Sequence, residues 1–274
     1  MRAAAAPLIL AFGACGSLGA LADPPAAPAP AEDRLVFAAD GSTLSGGGNA
    51  SGSGGSGTWL HYFSADTVLG AGAEYQQIAD AHWSVGVLSG SVGLGQGQAK
   101  SHLYAEVHEG AGDIGTRAFN YSLVVAGVLG NLTPRFSAQL EERRIDIDTS
   151  YGNLPKVGLS FRVTPALMAT ASYAYSVGGN LGTRLTSVRL DYGAGTLSGM
   201  AGAVWGPAAP AVYDLFRLNV TPGATLTESF VGIGKSVGRA TWLLVGDQQN
   251  VAGTSRTTIS LSCAFTVRAR SQLP

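Results

Sequence analysis

Apolar side chains return on every second residue through much of this chain. In "TTISLSCAFTVR" (Thr257 to Arg268) Ile259, Leu261, Cys263, Phe265 and Val267 share one parity, and Thr, Ser and Ala fill the other. Side chains of a β-strand alternate between its two faces, so this segment predicts a strand with one apolar face and one small, polar face. The same period appears through Trp83, Val85 and Val87 in "AHWSVGVLSG" and through Leu103, Ala105 and Val107 in "SHLYAEVHEG". It returns through Val157, Leu159, Phe161 and Val163 in "KVGLSFRV", and in "ALMATASYAYS" and "RLTSVRLDYG". Each segment runs about ten residues before Gly, Pro, Asn or Asp interrupts it, which is strand grammar. The most apolar stretch after the N-terminus, "SLVVAGVLG" (Ser122 to Gly130), is far shorter than the roughly 20 residues of a membrane-spanning helix.

Alternation alone does not say which face looks inward. A soluble sandwich buries the apolar face, whereas a membrane barrel turns it to lipid and keeps the polar face inside. Composition favours the second arrangement. Charged residues are 13% of the chain, about half the share of a soluble domain. The polar faces carry Gly, Ser, Thr and isolated charges, without the dense Lys/Glu cover of a soluble sheet. Aromatic residues gather near predicted strand ends (Trp59, Tyr62, Phe63, Trp83, Tyr173, Tyr175, Tyr192, Trp205, Trp242), as in interfacial girdles. The prediction is an all-β, transmembrane, antiparallel up-and-down barrel of 12–14 strands. Its apolar faces, including Ile259, Leu261, Phe265 and Val267, point at lipid.

Residues 1–22 read as an export signal, with Arg2 before a short apolar stretch and Ala20-Leu21-Ala22 as the cleavage site. Processing at Cys15 as a lipoprotein is the alternative. Residues 23–56 run from a Pro/Ala-rich stretch into a Gly/Ser tract. They read either as a linker or as a first strand and its loop, the latter giving 14 strands in place of 12. The barrel is placed at 57–268 and a tail at 269–274. "SVGR" (Ser236 to Arg239) and "VTPA" (Val163 to Ala166) read as tight periplasmic turns, and Pro207 to Thr225 as an external loop. "QLEERRIDID" (Gln139 to Asp148) carries consecutive charges that cannot all face a lumen, so the strand is expected to leave the bilayer near Leu140 and become a loop.

With the signal removed, Cys263 is the only cysteine, so no intramolecular disulfide and no cysteine-based metal cluster forms. A net charge of −1 gives no reason to expect nucleic acid as a partner. No cofactor or metal is expected. Taking the apolar face as outward, Glu74, His102, Glu106, Lys156, Arg162, Arg189 and Asp191 fall on the lumen face, opposite signs in similar numbers. The lumen is therefore expected to be mildly polar, lined by residues too small to plug it and narrowed by the Pro207–Thr225 loop. A narrow channel or envelope component is the functional reading. The alternative is an outer-membrane enzyme acting on lipid A, with His82 as base, Ser84 as nucleophile and Glu106 orienting the ring.

The strand, short turn, strand units "GLSFRVTPALMATASYAYS" and "GNLTPRFSAQL", with the closing hairpin "KSVGRATWLLVGDQQNVAGTSRTTISLSCAF", resemble the YaiO-like outer-membrane β-barrels of Gram-negative bacteria. The resemblance covers roughly Gly57 to Arg268. It implies location in the bacterial outer membrane among lipid and lipopolysaccharide, insertion by the barrel-assembly machinery, and an association with surface glycan export. It brings no catalytic residues. Barrels of this type usually end on an aromatic residue, whereas here nine residues follow Phe265.

Overall fold

The computed structural model describes residues 32–46, 50–64, 66–95, 100–208 and 224–268. The expected signal, the Cys15 alternative, the C-terminal tail and most of the Pro207–Thr225 segment lie outside them. The elements are β1 (Glu32–Ser45), β2 (Ala50–Tyr62), β3 (Thr67–Ile78), β4 (Ala81–Leu94) and β5 (Ser101–Ile114). Next come β6 (Arg117–Asn131), β7 (Phe136–Ile147), β8 (Ser150–Asn153), β9 (Lys156–Thr164) and β10 (Leu167–Tyr175). β11 (Arg184–Ala194), β12 (Leu197–Ala208), β13 (Ala224–Val237), β14 (Ala240–Val251) and β15 (Thr254–Arg268) complete the chain. Each pairs antiparallel with its neighbours, and β1 pairs with β15, so the sheet closes with no free edge.

β8 and β9 are two parts of one stave. β8 pairs with the top of β7 and β9 with its bottom. Between them Leu154 and Arg143 exchange backbone hydrogen bonds of 2.7 and 3.3 Å. Pro155 has no N–H to give the ladder, which is why the stave is interrupted there. The barrel thus has 14 membrane-spanning strands, and the 12-strand alternative falls. The Gly/Ser tract is mostly strand, since β1 runs to Ser45 and β2 begins at Ala50. Gly52 and Gly54 fit there because a barrel wall needs a small residue wherever a neighbouring side chain crosses it, Ser42 and Ile78 at Gly52 and Gln76 at Gly54.

The end holding Glu32 and Arg268 is termed the lower end. The turns after Thr164 and Val237 lie there, at the positions read as periplasmic turns, together with the turn after Ala194. At the upper end β14 turns into β15 through Ala252 and Gly253, both at positive φ (49° and 82°), the two-residue turn whose twist matches a hairpin.

The outer surface below the upper rim is aliphatic. Leu88, Val231, Ile233 and Ile259 are all more than 60% exposed, and Leu261, Phe265 and Val267 also point outward. Such a continuous apolar surface is unstable in water and stable in lipid. Two aromatic rings bound it. Trp59, Phe136, Tyr192, Trp242 and Phe265 stand at the lower rim, and Tyr75, Tyr151, Tyr173, Tyr175 and Trp205 at the upper one. Phe136 and Phe161 stack with centroids 4.8 Å apart, and Trp242 meets Phe265 edge-on at 6.3 Å. Cys263 lies on the outward row yet is buried, in register with the larger Phe37 and Trp242.

Two expectations are corrected. Trp83 and Tyr62 are not girdle residues. Tyr62 packs against the buried Val36, Leu60, Val68 and Ala264. Trp83 is 2% exposed and points into the barrel with Val85 and Val87, while His82, Ser84 and Gly86 face out. The charged segment after Gln139 is not a loop either. β7 continues to Ile147 with strict alternation, placing Gln139, Glu141, Arg143, Ile145 and Ile147 inside and Leu140, Glu142, Arg144 and Asp146 outside. The charges do divide between the two faces, but within a paired strand.

Candidate functional site

The interior is a concave, chemically varied surface, and it changes character with height. In its upper part the inward positions of β4, β6 and β7 are apolar. Trp83, Val85, Phe119, Tyr121, Leu123, Val125, Ile145 and Ile147 form one buried cluster with residues from the opposite wall, among them Leu185, Val204, Leu226 and Val251. The connection between β10 and β11 contributes as well. Leu181 and Thr183 are wholly buried, and Asn180 ties this connection to Thr149 and Tyr151 of the adjacent turn. The expected lining of residues too small to fill the bore is therefore overturned. Large side chains point inward over the upper third of β4, β6 and β7.

Below and beside this cluster lie the charges. On β7 Glu141 collects four partners. Tyr104 Oη donates to its Oε2 at 2.7 Å, Gln139 Nε2 donates to the same oxygen at 3.1 Å, and Arg143 Nε donates to its Oε1 at 2.6 Å. Lys156 Nζ stands 3.7 Å from Oε1. Gln139 Nε2 also donates to Tyr104 Oη at 2.7 Å. Glu141, Arg143 and Gln139 are each less than 9% exposed. A buried carboxylate is costly unless cations and donors surround it, and here both do.

The reach of Tyr104 depends on a glycine. Tyr104 of β5, Gly127 of β6 and Glu141 of β7 lie on one line across the sheet. A Cβ on Gly127 would lie 2.3 Å from the Tyr104 ring and hydroxyl, so only glycine lets the phenol cross β6. The device recurs on the far wall. Gln76 of β3 crosses Gly54 of β2 and donates to Asp40 Oδ1 of β1 at 2.9 Å.

The residues singled out from sequence are distributed as follows. Glu74 and Glu106 flank the buried His108, whose Nε2 is 3.3 Å from Glu106 Oε2 and whose Nδ1 is 3.8 Å from Glu74 Oε1. Arg189 donates to Asp191 Oδ1 through Nε at 2.8 Å and Nη2 at 2.6 Å, two residues apart on β11. Lys156 belongs to the Glu141 group. Arg162 and His102 are half-buried near the lower end, Arg162 in register with Met168 and His102 with Gly93. The structure thus joins Glu74 with Glu106, and Arg189 with Asp191, and keeps these groups apart. Sequence reading missed Glu141, Arg143 and Gln139, because their segment was taken for a loop, and also Asp40, Glu228, Asp247 and Arg256.

The enzymatic alternative does not fit this geometry. His82 and Ser84 stand on the outer face and Glu106 on the inner one, with the barrel wall between them. The acid beside His82 is Asp113, with Nε2 to Oδ2 at 3.4 Å, and no hydrogen bond joins Ser84 to His82. No group of three or more His, Cys, Asp or Glu side chains suited to a metal is present among the described residues.

No protein-family model matches the chain, and no curated protein matches its sequence. Solved structures do match in shape. A TodX monoaromatic hydrocarbon channel (a deltaS2 mutant) aligns over 89% of this chain and 91% of its own, with 8% identity and a TM-score of 0.58. The toluene transporter TbuX of Ralstonia pickettii aligns over 87% and 89%, with 9% identity and a TM-score of 0.56. The CymD monoaromatic hydrocarbon channel aligns over 88% and 89%, with 10% identity and a TM-score of 0.55. At such identities the likeness is one of fold: a closed, membrane-spanning antiparallel barrel.

Proposed function

We propose that this chain is an outer-membrane channel for small, largely apolar molecules. One observation carries the reading: the upper lumen is walled by buried Trp, Phe, Tyr, Val, Leu and Ile side chains. A path of that kind is a poor route for ions and sugars, since each would shed water without replacement. It suits a solute whose transfer from water is itself favourable. Barrels named as hydrocarbon channels and a toluene transporter share the architecture, which is consistent with this cargo. The lipid-facing belt supports a place in the outer membrane, and the proposal includes insertion by the barrel-assembly machinery among lipid and lipopolysaccharide. On this reading the lower end, with its short turns after Thr164 and Val237, faces the periplasm.

The kinship with YaiO-like barrels belongs to this proposal too. It rests on the short Pro-containing turns at the lower end and would add an envelope role beside surface glycan export.

The test is uptake into liposomes holding the purified barrel. Toluene is expected to equilibrate faster than in protein-free vesicles, while a hexose enters at the protein-free rate. Toluene entry at the protein-free rate would overturn the reading, whatever the hexose does.

A further inference from the structure

We infer that the upper lumen holds a binding site for an organic ammonium ion carrying an apolar body. This rests on the channel reading and narrows its cargo.

The wall formed by β13, β14, β15, β1 and β3 differs from the rest of the upper interior. Glu228, Gln249, Asp247, Asp40, Ser42 and Gln76 face inward there, on three successive inward register rows: Glu228 with Gln249, Asp247 with Thr258 and Ser42, and Asp40 with Gln76 across Gly54. Their atoms have an uneven hydrogen-bond record. Glu228 Oε2, Asp247 Oδ2, Gln249 Oε1, Asp40 Oδ2 and Gln76 Oε1 are buried and receive no donor from the described protein. All five are acceptors. Glu228, Gln249 and Ser42 are each more than nine-tenths buried, so bulk water does not serve them freely.

Charge adds a second argument. Glu228 and Asp247 are in contact, and Asp40 lies two strands from Asp247. Arg256 is the cation within reach of both carboxyls of the pair. Two carboxyl groups in contact repel unless a shared proton or another donor sits between them. A protonated amine offers three donors and one positive charge.

Geometry supplies the apolar part. One step up each strand from a polar residue stands a buried apolar one: Leu226 above Glu228, Val251 above Gln249, Leu44 above Ser42 and Ile78 above Gln76. These belong to the same cluster as Trp83 and Phe119. A ligand whose ammonium meets the carboxyl pair must lay its body against that cluster. A bare cation would leave this half of the site unused, and a neutral hydrocarbon would leave the acceptors unserved.

The experiment measures binding of 2-phenylethylamine, 2-phenylethanol and phenylacetate to the full-length barrel in detergent, by calorimetry, with toluene uptake into liposomes run in parallel. The amine is expected to bind about tenfold tighter than the alcohol, and phenylacetate weakest. Glu228→Gln and Asp247→Asn, each checked for heat-modifiable folding, should bring the amine-to-alcohol ratio towards unity. An amine that binds no better than the alcohol to the wild-type protein overturns the proposal. If toluene uptake persists in that case, the channel reading stands without it. Absence of toluene uptake overturns the channel reading instead. If potassium or ammonium chloride displaces the amine at concentrations near the amine's own dissociation constant, the site takes a bare cation and the proposed ligand is wrong.

Discussion

Single residues decide whether this wall can be built. Gly127 shows it most plainly. Its missing Cβ is the space through which Tyr104 reaches Glu141, so Gly127→Val should displace the phenol and strip a hydrogen bond from a buried carboxylate. Overpacking of this kind costs about 1–3 kcal/mol, and urea unfolding of the reconstituted barrel should show a loss of that size. An unchanged midpoint would mean that the Tyr104 bond contributes nothing. Glu141 is the more demanding position. Glu141→Ala leaves Arg143 and Lys156 facing each other without their shared anion, and removal of one partner from a buried ion group typically costs about 3–5 kcal/mol. The double change Glu141→Leu/Arg143→Leu should cost less than Glu141→Ala alone, because no buried charge of that pair is then orphaned. Additive costs in the same assay would show that the two residues are not coupled.

At the scale of elements, the strands explain both what the sequence disclosed and what it hid. β15, β9 and β11 read correctly because they have one apolar face, turned to lipid. β4 misled because its apolar face changes sides. Trp83, Val85 and Val87 are inward, and Leu88, Val92 and Leu94 are outward, so the phase of the alternation shifts by one where the strand passes from the upper lumen to the lipid belt. β6 shows the same overlap: Leu123 and Val125 face in beside Val124 and Ala126, which face out. That is why "SLVVAGVLG" is apolar at nearly every position. A period-two pattern gives the strand but not the medium on each side, and here both media are apolar over part of the height. β7 was lost for the complementary reason. Above Leu140 the outer face is charged and the inner face mixes Glu141 and Arg143 with Ile145 and Ile147, so neither face is uniformly apolar and only the register with β6 reveals the strand. Depth on the outer face should therefore be measurable. Leu261→Arg, within the belt, should cost about 2–4 kcal/mol, whereas Gln248→Arg, near the upper rim, should cost about 0–1 kcal/mol. Equal costs in vesicle unfolding would place the belt wrongly.

For the molecule as a whole, strand number and closure were within reach of sequence, since 14 strands follow once β1 is granted. The content of the lumen was not. Its charged residues were legible as inward positions, but the apolar cluster above them joins residues far apart in sequence, and the buried Leu181 comes from a connection with no periodic signal. Fourteen strands enclose less space than the roughly 16–18 of porins with open aqueous channels, and here large side chains occupy the upper part of it. The account's central claim is that the apolar cluster of the upper lumen forms a constriction closed to hydrated ions. Single-channel conductance in planar bilayers tests it most directly. The wild-type barrel should pass little current at any polarity, and Trp83→Ser together with Ile147→Ser should raise that current several-fold by wetting the constriction. A wild-type protein that opens as a large, steady ionic pore would contradict the account.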